Sequence, residues 1–224
     1  MAVISGILES AKRAGRYVVQ VDGKAFATVS LDVIERLRLA IGVVVGEGLA
    51  ESLREEEAAL GAYDRALNML AFQPRSRRDL RRRLVQKGES EAHAEAAVER
   101  LAASGVLDDG AFARQFARSR VLGQGASKRR LQQELFKRGV ERGVADEAIG
   151  EVLSDEGVDE GAVVERVARK KARSLGGLDP AVRRRRLYAF LARRGYDGEV
   201  IRRAMAVVLG ASEAEELIDE GGED

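Results

Sequence analysis

Between Pro74 and Leu84 the chain reads PRSRRDLRRRL, and six of these eleven residues are arginines. Arginine at this density suits one chemistry above others. Its planar fork grips phosphate or carboxylate oxygens two at a time. The placement is odd. Ser76 is a good N-cap ahead of a Leu80/Leu84 helix stripe, which puts Arg77 in the first turn. A cation there opposes the helix macrodipole at a cost of about 0.3–1 kcal/mol. Unpaired first-turn N–H groups beside a cation make an anion site. Balancing acid is scarce. Residues 75–87 hold seven bases against Asp79 alone, and residues 183–194 hold six bases and no acid.

The pattern recurs along the chain. SRRDLRRRLVQKG (76–88), SKRRLQQELFKRG (127–139) and RRRLYAFLARRG (184–195) align on their closing glycines. Leu80, Leu131 and Leu187 then coincide, as do Leu84, Leu135 and Leu191. Each pair is spaced i, i+4, one stripe of a helix. Gly88, Gly139 and Gly195 stand where a C′ glycine ends a helix. With Leu80 as zero, Arg78 lies at about 160° and Arg82 at about 200°, away from the leucines. Arg129 and Arg185 share the register of Arg78. Lys128 and Arg184 share that of Arg77. The plain alternative is a solvated face, and the repetition in all three units weighs against it.

An apolar-periodic run precedes each of these helices (62–72, 108–122, 159–175) and another follows (90–105, 143–157, 196–210). Each unit is therefore three short helices. Asp108, Ser76 and Ser90 are the caps. Such helices are marginal alone and need packing. Tandem modules of this kind predict an elongated, curved rod. The first residues differ in texture. RYVVQVDGKAFATVS places Asp22-Gly23 between two β-rich runs, a hairpin signal, and residues 7–12 offer a third strand. Asp32 is expected to cap a helix over DVIERLRLAI, and an acidic helix to run from Glu47 to Leu60.

The expected fold is mainly α, with a β-hairpin region and short helices over 1–60. Three-helix repeats follow over 61–106, 107–157 and 158–210. An acidic tail over 211–224, with seven acids, is expected to be disordered; its charge could shield the basic helices, and the sequence leaves that role open.

Composition excludes several classes. No cysteine is present and His93 is the single histidine, so neither disulfides nor a His- or Cys-based metal site is expected. No run reaches the ~18 apolar residues of a membrane span, and no secretory signal opens the chain, so a cytoplasmic protein without membrane contact is expected. Net charge is only +1, but the charges are segregated and local charge governs partners. The acids Glu55, Glu56 and Glu57 read as a solvated face. Asp108-Asp109 reads as a cap and LGQGAS as a turn between helices. His93 has no assigned task. No nucleophile–base arrangement appears, so catalysis is not expected, and no cofactor is expected.

These residues resemble the RecX family, bacterial regulators of the RecA recombinase. The resemblance rests on Ala66-Leu67, Pro74-Arg75-Ser76, Leu80, Leu84 and Gly88 in the first unit. In the second it rests on Leu107-Asp108-Asp109, Phe112-Ala113, Phe116, Arg120, Gly125, Leu131, Leu135 and Gly139. Residues 159–210 match in outline. Gln73 stands where arginine is common, and the acidic tail lies outside the pattern. The resemblance implies a monomer that enters the groove of the RecA filament on DNA. It would lower ATPase and strand-exchange activity by occupancy, within recombination, DNA repair and the SOS response. Arg75, Arg77, Arg78, Arg82, Lys128, Arg129, Arg130, Arg184 and Arg185 are then the expected contacts to recombinase or DNA. A stand-alone, sequence-tolerant DNA-binding module remains the alternative. Similarity to helix-turn-helix DNA readers and a scaffold for some other protein are weaker readings.

Overall fold

A computed structural model describes residues 2–11, 13–157 and 159–210. The chain divides into two compact units, Met1–Leu107 and Asp108–Asp224. The acidic tail lies outside the described residues.

The first unit opens with an antiparallel sheet of β1 (Ile4–Glu9), β2 (Arg16–Val21) and β3 (Lys24–Ser30), in that order. The β2–β3 turn uses Asp22 and Gly23 at φ 49° and 79°, the pair of positive values that a two-residue hairpin needs. Strand β1 starts three residues before the expected 7–12. Ile4 is fully buried and pairs with Val21, so burial sets its register. Helix α1 (Leu31–Arg36) is capped by Ser30, with Asp32 inside its first turn, and so begins and ends earlier than the DVIERLRLAI run.

Helix α2 is continuous from Glu47 to Phe72, where the sequence suggested a break near Gly61. A single glycine costs a helix only about 1 kcal/mol. Here packing on both sides outweighs it. Leu53 joins the core under the sheet, whereas Ala62 and Ala66 join that of the first repeat. The acids on this helix are not merely solvated. Glu57 accepts from the Thr28 N–H at 2.9 Å and Glu56 from Arg36 at 2.6 Å. Glu55 meets His93 Nε2 at 2.7 Å, so His93 ties its own helix to α2.

The first repeat combines the end of α2 with α3 (Arg77–Gln86) and α4 (Glu91–Ala103). The second unit carries α5 (Asp109–Gln124), α6 (Lys128–Lys137) and α7 (Arg142–Asp155), then α8 (Glu160–Arg173), α9 (Pro180–Arg193) and α10 (Gly198–Leu209). Each repeat has its own apolar core. All six aligned leucines, Leu80, Leu84, Leu131, Leu135, Leu187 and Leu191, are 0% exposed. Ser76 and Ser90 accept from the N–H groups of Asp79 and His93, and Asp108 from those of Gly110 and Ala111. The closing Gly88, Gly139 and Gly195 have φ of 94°, 83° and 90°.

The third repeat departs from the alignment. Asp179 caps α9 and Pro180 occupies its first turn, a favourable start. The helix thus begins a turn earlier than the RRRL register implied. Arg184 is consequently not a first-turn cation and is buried, at 8% exposure.

Within the second unit the two repeats are joined at one seam. The buried Tyr196 hydroxyl donates to the Gly125 carbonyl at 2.9 Å. Burial, with the Glu160 charge adding, pushes the Tyr196 phenol up to about 12 despite nearby Arg194 and Arg166, so it keeps its donor proton. The Ser127 N–H donates to the Arg194 carbonyl at 3.3 Å. A Cβ on Gly195 would lie 2.6 Å from Ser127 Oγ and 2.7 Å from Arg130 Cβ, whereas one on Gly88 would meet nothing within 4 Å. The two glycines share a left-handed φ and differ in neighbours. Gly88→Ala is expected to cost the left-handed strain alone, about 1–2 kcal/mol. Gly195→Ala should add a further ~1–3 kcal/mol of overpacking. Chemical denaturation of both variants measures the difference.

Candidate partner-contact surface

Each middle helix turns its leucine pair inward, which fixes where its cations point. Arg78, Arg129 and Arg185 are exposed, and none has a hydrogen-bond or ion-pair partner among the described residues. They occupy one register in three repeats. Arg77 and Lys128 are exposed in first turns. Phe136 is 68% exposed and stands seven residues after Arg129. Seven residues bring two side chains to within about 20° on a helix, so α6 presents an apolar group on the same face as its unpaired arginine, two turns further along.

The other candidates are engaged within the fold. Arg75 Nη1 lies 2.9 Å from Asp79 and Arg83 Nε 3.0 Å, and Arg82 pairs with the same carboxylate. Burial alone would raise the Asp79 carboxyl, but hydrogen bonds from Arg75, Arg83 and Arg82, with the Arg83 charge, hold it below its usual range. In α6 the arrangement is inverted. Arg130 stands in the Asp79 register and reaches Glu134, in the Arg83 register, at 2.8 Å. Arg120 and Arg138 approach Glu134 at 3.7 and 3.6 Å. Arg75 and Arg130 therefore stabilise their own repeats, and Arg184 belongs to the interior.

The helix starts also find their anions internally. At α6 the Lys128 N–H donates to the Glu160 carboxylate at 3.3 Å, and the Arg130 N–H to Ser127 Oγ at 3.2 Å. Glu160, the first residue of α8, places a carboxylate at this helix start, one of the two anions, phosphate or carboxylate, that suit it.

One basic element was missed. Helix α8 carries Arg166, Arg169, Lys170, Lys171 and Arg173 within eight residues. Only Arg169 among them forms an ion pair within the described residues, with Glu165 at 3.2 Å. The signal lies in ERVARKKARS, where five cations share a run with the apolar period of the helix. No group of three or more His, Cys, Asp or Glu suited to a metal occurs among the described residues. No helix among them is long and apolar enough to cross a membrane.

Residues 62–101, 108–149 and 159–205 match, in turn, the first, second and third three-helix domains of RecX. The chain belongs to the RecX family. A regulatory protein RecX of Pelodictyon phaeoclathratiforme is 35% identical over 151 residues, covering 67% of this chain and 91% of that protein. One from Halorhodospira halophila is 40% identical over 152 residues, covering 66% and 89%. The crystal structure of a regulatory protein RecX superposes with a TM-score of 0.73 at 24% identity, covering 89% of this chain and 97% of that one. The chain thus shares its fold with that protein over most of its length, and it is a RecX-type regulatory protein.

In this RecX-family chain Asp79 anchors three arginines, which makes a pH signature. An acid held below its unfolded value adds stability above that value and loses it as pH falls through the folded value. Asp79→Asn is expected to cost about 1–3 kcal/mol at neutral pH. The gap to the parent protein should close as pH drops below ~4. Urea melts at a series of pH values read this out.

Proposed function

We propose that this RecX-family protein binds in the groove of a RecA-type recombinase filament on DNA, as a cytoplasmic monomer. It lowers ATP hydrolysis and strand exchange by occupancy, without catalysis of its own. One observation carries the proposal. Arg78, Arg129 and Arg185 share a register, are exposed and lack internal partners. A fold that supplies Asp79 and Glu134 to neighbouring arginines leaves these three for something outside. Arg77 and Lys128 extend the surface in the first two repeats, and Arg82, paired with Asp79 through one nitrogen, borders it. The partner includes protein as well as phosphate, because exposed Phe136 offers an apolar anchor on the face that carries Arg129, and aromatic and arginine side chains dominate protein hot spots.

The double reversal Arg78→Glu/Arg129→Glu tests this. Neither side chain supports the fold, so circular dichroism should match the parent. Inhibition of DNA-dependent ATP hydrolysis by preassembled filaments should be lost at concentrations where the parent inhibits fully. Unchanged potency would refute the surface. Salt-dependent binding to naked DNA, with no preference for filaments, would instead favour a stand-alone DNA-binding module.

A further inference from the structure

A recess of about 390 Å³ opens in the second unit where its two repeats meet. The end of α5, residues Leu122–Gly125, forms one wall, and α8 and α9 form the others. Arg166, Lys170, Lys171 and Arg194 all line it, and none of its lining residues is acidic. The α8 carboxylates near it are already engaged, Glu160 by the Lys128 N–H and Glu165 by Arg169.

Two of the cations are held in place by an aromatic ring. The Arg194 guanidinium lies 4.5 Å from the Phe190 centroid, and Lys171 Nζ lies 5.4 Å from it. The Arg194 Nε is buried with no hydrogen-bond partner. Last-turn positions in α8 suit Lys170 and Lys171 through the macrodipole. That does not account for Arg166 and Arg194 converging on the same space. Four like charges around one concavity repel each other, and the fold supplies no carboxylate between them. A compact polyanion removes that repulsion.

We propose that this recess is a binding site for a multiply charged phosphate group. The volume falls within the range of small-molecule sites, about 300–1,000 Å³. Four cations gathered on a recess of this size suit a compact, multiply charged end group, whose charge is concentrated at one place, better than a continuous backbone, whose charge is spread along its length. The phosphate is that of a free nucleoside polyphosphate or the terminal phosphate of a nucleic-acid strand. The site is separate from the outward arginines and does not depend on the filament reading.

The probe is inorganic tripolyphosphate, titrated calorimetrically into the full chain at ionic strength matched with chloride. Binding is expected. Arg166→Ala/Lys170→Ala should weaken it tenfold or more. Arg142→Ala, a change at an exposed cation outside the recess, should leave it unaltered. No tripolyphosphate binding, or equal affinity in all three proteins, would overturn the site. ATP and oligonucleotides ending in a 5′-phosphate or a 5′-hydroxyl then compete with the probe. Displacement by ATP, with no difference between the oligonucleotides, assigns a free nucleotide. A preference for the 5′-phosphate assigns a strand end. Failure of both ATP and the phosphorylated oligonucleotide to displace the probe would reject the proposal. No recombinase is present, so these outcomes stand apart from the ATPase test above.

Discussion

The burial of two leucines per middle helix is the constraint on which the rest depends. A ten-residue helix such as α3 or α6 is marginal alone in water. It persists because Leu80 and Leu84, or Leu131 and Leu135, are sealed from solvent by the two helices around them. With the leucine stripe committed inward, the opposite side must face outward, and Arg78, Arg129 and Arg185 go with it. Core and exposed basic face are thus one decision read from two sides of the same helix.

The same constraint explains how the fold tolerates so many cations. A short helix cannot keep many unbalanced charges near its N-terminus without fraying. Each repeat meets this differently. The first uses Asp79, held ionised by three arginines. The second sets Glu134 among Arg130, Arg120 and Arg138, and borrows Glu160 from the next repeat for its N–H groups. The third starts its helix a turn earlier with Asp179 and Pro180. Of the two anions that suit these helix starts, phosphate or carboxylate, the chain itself supplies carboxylates. The cations available to a partner are those left after this internal accounting.

What was legible in the sequence was local. The i, i+4 leucines, the C′ glycines, the Asp22-Gly23 hairpin and the Ser76, Ser90 and Asp108 caps depend on spacing and turn chemistry within a few residues. What escaped was tertiary. Gly61 does not break α2 because two different cores grip the helix on either side of it. Arg184 looked like Arg77 in alignment, yet a proline-led start moved it inside. Arg75 and Arg130 are ion-paired within the fold, which their place in the arginine runs does not reveal. The cations of α8 were overlooked because the helix they sit on was valued only for its apolar period.

The seam between the last two repeats shows why these omissions belong together. Gly125 and Gly195 are both helix-terminal glycines with positive φ, which alone would explain them. Both are also packed so closely that a Cβ would meet Val167 in one case and Ser127 in the other. The backbone approach they permit lets Tyr196 reach the Gly125 carbonyl and sets α8 and α9 against the end of α5. That approach brings Arg166 and Arg194 together with Lys170 and Lys171 around one recess. Residues about thirty apart in sequence become neighbours only because two glycines lack side chains. A reading by periodicity, one helix at a time, has no means of seeing that.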